Sequence, residues 1–193
     1  MNKTQIMLTA LVLVASRAYA TGERIDTMKT YELQDVQVVS TRANQKTPMA
    51  FSTLDKEQIR KLNHGRDIPF LLSLTPSVTM TSDAGNGIGY TSIKVRGTDP
   101  SRINITANGI PVNDAESSLV FFVNMGDFMS SVKDVQIQRG VGTSTNGSAA
   151  FGATVNMQTD APSLYPYLNF NASAGSYATH KESLRFGSGL LGN

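Results

Sequence analysis

Three patterns of apolar and polar residues follow one another along the chain. The first is a single apolar run over residues 6–15, preceded by Lys3. It is too short to cross a bilayer, and Ala18-Tyr19-Ala20 behind it has the small-x-small form that signal peptidase cuts after. Residues 1–20 therefore read as a cleaved export signal rather than as a buried helix. Residues 21–34 are polar and charged, without periodicity, and read as a flexible arm. Val36, Val38 and Val39 then form a short β-prone segment, closed by polar residues and Pro48.

The second pattern alternates short helices with short strands. Asp55 with Gln58 three residues later has capping-box spacing, Ile59 and Leu62 share one face, and Gly65 marks the end of that helix. Asp67 reads as the cap of a second helix, with Pro69 in its first turn and Pro76 as its stop. Strands are expected over 78–81, 92–96, 103–107, 132–138 and 153–158, separated by Gly, Pro and Asn/Asp turns. Asn108-Gly109 between two apolar runs is a tight-turn signal. This is a small mixed α+β domain over about 35–160.

The third pattern is strict alternation. Leu168, Phe170, Ala172 and Ala174 interleave with Tyr167, Asn169, Asn171 and Ser173. After a turn near Gly175, Leu184, Phe186, Ser188 and Leu190 interleave with Ser183, Arg185, Gly187 and Gly189. Period-two alternation over about ten residues is what a membrane β-barrel strand requires. A half-buried soluble hairpin fits these residues equally well, and it is the export signal that favours the barrel. Two strands cannot close a barrel, since the smallest needs about eight. Residues 161–193 are thus expected to supply only the first strands of an incomplete antiparallel transmembrane barrel.

Composition narrows the chemistry. There is no cysteine, which excludes disulfides, cysteine zinc sites and a lipidated N-terminal cysteine. The formal charge of +2 disappears once Lys3 and Arg17 leave with the signal, and no basic stripe suits nucleic acid. His64 and His180 stand far apart, outside any metal-ligand spacing. Residues 142–148 imitate a phosphate loop, but Ser148 stands where its lysine would be. Gly85, Gly87 and Gly89 open no helix, so the dinucleotide fingerprint fails too. The Asn-x-Ser/Thr sequons that begin at Asn104, Asn146 and Asn171 are chance matches in an exported bacterial-type chain. No cofactor, no metal and no enzymatic activity are expected.

Four segments in series resemble the plug of TonB-dependent outer-membrane receptors. Asp35, Val36, Gln37, Val38, Val39, Ser40 and Thr41 look like the TonB box. Ile93 to Gly97, followed by Ala107-Asn108-Gly109-Ile110-Pro111, is similar to the family's Arg-Gly strand end and Asp-Gly-x-Pro turn, with Asn108 in place of Asp. The third segment runs from Val132 to Arg139 and Gly140, the fourth from Gly147 through Phe151 and Gly152 to Asn156. The resemblance implies a four-stranded mixed sheet with short helices inside a barrel of about 22 strands. It implies that the box meets TonB in the periplasm, and that Arg96 and Arg139 pair with barrel-wall glutamates as a plug–barrel latch. It also implies that two loops face an external small-molecule ligand such as a metal chelate. One contains Ser82, Asp83, Asn86 and Tyr90, the other Asn113, Asp114, Glu116, Ser117 and Phe121. Gly97, Asn108, Gly109, Gly140, Gly147 and Gly152 are its structural turns.

The implied function is energy-coupled uptake at the outer membrane, with lipid around the barrel and an iron-siderophore, haem or cobalamin as cargo. The alternative is a free exported plug-like module that binds without transporting. A secreted nucleotide-dependent enzyme is a third class, disfavoured by the missing lysine.

Overall fold

The computed structural model describes residues 42–142 and 150–189. The chain divides into two compact units, Met1–Gln37 and Val38–Asn193, and everything described below belongs to the second. The export signal and the arm lie outside the described residues.

The first strand, β1 (Ala50–Leu54), is absent from the sequence expectations. Its residues, Ala-Phe-Ser-Thr-Leu, carry little alternation of their own. They become a strand because β6 (Val132–Arg139) supplies the ladder, from Ala50 opposite Arg139 to Leu54 opposite Val135. The helix α1 (Lys56–Leu62) follows with the expected capping box. Asp55 accepts from the Gln58 amide at 2.8 Å and the Asp55 amide donates back to Gln58 at 3.0 Å. Its Ile59 is buried in the core.

In α2 (Ile68–Leu72) Asp67 occupies the N-cap position but makes no side-chain cap bond, contrary to expectation. Its carboxylate accepts instead from the Gly89 amide at 3.1 Å and the Thr91 hydroxyl at 3.0 Å. A buried carboxylate goes where the most donors converge, and here tertiary donors outweigh the local amide.

The remaining elements match expectation to within about a residue: β2 (Val78–Ser82), β3 (Thr91–Val95), β4 (Ile103–Ala107) and β7 (Ala153–Thr159). β2 and β3 pair with each other as a separate antiparallel hairpin. The main sheet has the order β1-β6-β7-β4-β5 and is mixed, with β4 parallel to β7 and the other pairs antiparallel. Its fifth strand, β5 (Ile110–Pro111), is a stub beyond the Asn108-Gly109 turn, so four full strands become five. Both turn residues have positive φ (52° and 82°), the two-residue hairpin geometry that the Asn-Gly pair favours.

The register divides the sheet into two unlike faces. Val135, Ile137, Val155, Met157, Ile103 and Ile105 point to one side, where they meet α1, α2 and the β2–β3 pair in a single apolar core. Gln136, Gln138, Thr154, Asn156, Asn104 and Thr106 point to the other, and all six are buried as well. A polar sheet face usually meets water.

After β7 the chain forms β8 (Tyr167–Ala174) and β9 (His180–Gly187), an antiparallel pair with Leu168 opposite Phe186 and Phe170 opposite Leu184. Those four apolar side chains are 61–76% exposed. The alternate side, with Asn169 opposite Arg185 and Ser173 opposite Lys181, is turned toward the mixed domain. Among the described residues no helix is long and apolar enough to cross a membrane.

Candidate functional site

Arg96 and Arg139, each read from sequence as a strand-end arginine ahead of a glycine, lie at one corner. Arg96 and Gly97 both have positive φ (53° and 76°), and Thr98 donates to the Val95 carbonyl at 3.1 Å, closing a tight turn at the end of β3. The Arg96 guanidinium is exposed, and one of its nitrogens lies 3.8 Å from where a Cβ on Gly140 would stand. Arg139 donates to the Ser52 hydroxyl at 2.9 Å and to the carbonyls of Phe51 and Pro76, both at 3.2 Å. It therefore fastens the open end of β1 to the segment entering β2. Neither arginine has a carboxylate partner among the described residues, which leaves the corner cationic.

Gly152, expected as a turn, has a different reason to be glycine. A Cβ there would collide with the Thr98 side chain, while its amide donates to the Arg102 carbonyl at 2.8 Å. Gly147 lies outside the described residues, as do all seven residues of the box, Asp35 to Thr41.

The two loops spend much of their polarity on their own shape. Ser82 accepts from the amides of Gly85 and Gly87, Asn86 from that of Ile88, and the Asp83 amide donates to the Tyr90 carbonyl. Asn113 is fully engaged between strand and loop. Its oxygen accepts from the Ile105 amide at 2.8 Å and its nitrogen donates to the carbonyls of Ile103 and Ser118. Asp114 gathers the Ser117 amide and hydroxyl and the Glu116 amide, bonds that hold its carboxyl below the usual carboxylate range. Side chains left facing outward are Asp83, Tyr90, Glu116 and the half-exposed Phe121, whereas Phe122 is buried in the core.

Two features have no counterpart in the sequence reading. The first is a clasp on the polar sheet face. Arg42 bonds Asp134 on β6 and Gln158 on β7. Next to it, Gln136 takes both backbone groups of one residue: its oxygen accepts from the Ala43 amide at 2.8 Å and its nitrogen donates to the Ala43 carbonyl at 3.0 Å. A glutamine on an alternating strand reads as solvent-facing, so nothing local announced it.

The second is the seat of the β8–β9 hairpin. Lys181 bonds Asp127 at 2.6 Å, and Arg185 bonds Asp160 at 2.7 Å and the Ser130 carbonyl at 2.8 Å. Lys56 on α1 shares Asp160 at 2.8 Å, and Asn63 donates to Asp127 at 3.0 Å. Burial opposes ionisation of both aspartates, but donation from Lys181, Ser130 and Asn63 to Asp127, and from Lys56 and Arg185 to Asp160, holds both carboxyls below the ordinary value. A cleft of about 720 Å³ lies between α1 and the hairpin, lined by Arg60, His64, Asn169 and Ser173 among others. His180 opens β9 at the far end of the pair. Spacing four along a strand puts Lys181 and Arg185 on one side, a signal legible in sequence. Among the described residues no group of three or more His, Asp or Glu side chains converges as a metal site would require.

The TonB-dependent receptor plug-domain family matches residues 43–154, more than half of the chain. The chain belongs to that family. The plug fold recurs in solved structures at low identity. The ferric yersiniabactin uptake receptor FyuA from Yersinia pestis superposes with a TM-score of 0.56 at 13% identity, over 74% of this chain and 22% of its own. The ferripyoverdine receptor of the Pseudomonas aeruginosa outer membrane, bound to ferripyoverdine, gives 0.59 at 17% identity, over 80% and 20%. The copper transporter OprC gives 0.52 at 17%, over 72% and 21%. The plug and hairpin thus span about a fifth of the length of these structures. No curated protein matches the chain.

Proposed function

We propose that this plug and hairpin form the N-terminal part of an outer-membrane receptor that imports a scarce ligand through energy coupling by TonB. The observation that carries the reading is the polarity of the hairpin. Its polar side bonds the plug through Lys181 and Arg185, while Leu168, Phe170, Leu184 and Phe186 face away. A soluble hairpin would bury the apolar side. A barrel wall does the reverse, with plug inside and lipid outside. Placing each of those side chains in lipid is worth about 1.5–3 kcal/mol, which a free exported module would forgo.

In this reading residues 35–41 add as an extended strand to the edge of a TonB sheet, held mainly by backbone bonds. Arg96 and Arg139 present forked cations to barrel-wall carboxylates. Asp83, Tyr90, Glu116 and Phe121 are the candidates to meet the ligand. An iron-siderophore is the favoured cargo, with haem and cobalamin as alternatives. That preference draws on relatives such as the ferric yersiniabactin and ferripyoverdine receptors, and the copper transporter among them marks its breadth.

The test is Val38→Pro in the receptor carrying this chain. Proline removes one backbone donor and cannot take its place in an added strand. Uptake is expected to fall to the level seen without a proton gradient, with ligand binding at the cell surface unchanged. Uptake at the parent rate would overturn the coupling reading.

A further inference from the structure

The polar face of the sheet is buried, and the first described residues are fastened to it by side chains rather than by a β-ladder. Arg42 joins β6 and β7 through Asp134 and Gln158. Gln136, only 5% exposed, pairs with both the amide and the carbonyl of Ala43 and also donates to the Thr53 hydroxyl at 3.3 Å. Gln138 donates to the same Gln136 oxygen at 2.9 Å, fixing the orientation of the amide.

The path of the chain gives this arrangement a mechanical meaning. Residues 42 and 43 lie beside Asp134 and Gln136, toward the start of β6. Residues 44–49 then carry the chain to the other end of β6, where Ala50 pairs with Arg139. From there β1 runs back, ending with Leu54 opposite Val135. A load applied ahead of Arg42 meets the clasp first. It can reach β1 only through Ala50, where it would unzip the ladder one rung at a time. Arg139 guards that end through Phe51 and Ser52.

We propose that Arg42 and Gln136 are a clasp that sets the order in which the plug yields: residues 42–49 leave first, and β1 follows from its Ala50 end. This rests on the reading of residues 35–41 as the point of pull. Four side-chain bonds hold the clasp, and β6 keeps its ladder with β7 when they break. Opening it bares Gln136 and the backbone amide and carbonyl of Ala43, so the exposed face stays polar and the apolar core stays shut.

Force spectroscopy on the full receptor in outer-membrane vesicles tests this. These 193 residues hold no cysteine, and with any cysteine elsewhere in the receptor replaced, Thr41→Cys provides a unique handle. The first force peak should release the eight residues 42–49 and lengthen the chain by at most roughly 29 Å. The Arg42→Ala/Gln136→Leu double variant should lose that peak and keep the later ones. Arg42→Ala alone, which leaves the sheet intact, should weaken it. A first peak of about 45 Å, which takes β1 along with the clasp, would overturn the proposal, as would a first peak that survives in the double variant. The pull needs no TonB. An intact clasp with uptake indifferent to Val38→Pro would therefore sink the coupling reading while leaving the clasp standing.

Discussion

Arg185 on β9 lies 2.7 Å from the carboxylate of Asp160, the first residue beyond β7. The bond ties the second strand of the hairpin to the end of β7, the central strand of the main sheet. Lys56 holds the same carboxylate from α1, so one aspartate joins helix, sheet and hairpin.

Asp160→Ala should loosen the hairpin without unfolding the plug. The groups are partly exposed, which limits the loss to about 1 kcal/mol. Hydrogen exchange at the β9 amides should accelerate about fivefold. Glu182→Ala, on the outward side of the same strand, should leave exchange unchanged.

The seat also has a pH window. Asp127 and Asp160 have folded pKa values lowered from 3.8, so the folded state binds protons less readily than the unfolded one. Their contribution is complete above that value and is lost as pH falls below it, through the lowered folded values. Exchange at β9 should be flat from neutral pH down to about 5, once corrected for intrinsic rates, and should rise below 3.8. A rise beginning near neutrality would contradict the two aspartates as the hinge of the effect.

Two glycines test two kinds of constraint. Gly97 has a positive φ and open space around it, so Asn, which tolerates that conformation, should cost under about 1 kcal/mol. Gly152 has ordinary φ but Thr98 against it, so Gly152→Asn should destabilise by about 1–3 kcal/mol or more. Denaturant midpoints of the two variants check this, and equal losses would contradict it.

Much of the plug is legible in its sequence. The Asp55–Gln58 box, the Asn108-Gly109 turn and the alternation in 167–187 act locally, and each forms where the residues indicate. β1 escaped because its five residues take strand form only against β6. Asp67 takes the N-cap position that the sequence indicates, but the donors its carboxylate meets, Gly89 and Thr91, are distant in sequence. The largest gap is the polar sheet face. Alternation in Val135, Gln136, Ile137 and Gln138 announces two faces, but it cannot tell that the glutamine face is covered or that Gln136 grips Ala43. Arg96 and Arg139 stand out in sequence by their repeated Arg-Gly context, yet the contacts of Arg139 with Phe51 and Ser52 depend on the same unforeseen strand.

The account turns on the hairpin having its apolar side in lipid and its polar side on the plug. Single cysteines placed along β8 and β9, spin-labelled in outer-membrane vesicles in a receptor otherwise free of cysteine, measure this directly. Labels at Leu168, Phe170, Leu184 and Phe186 should be relaxed by oxygen dissolved in lipid. Those at Asn169, Asn171 and Ser183 should be shielded from it. Alternation in the opposite phase, or uniform access of a water-soluble relaxer to all seven sites, would contradict the account.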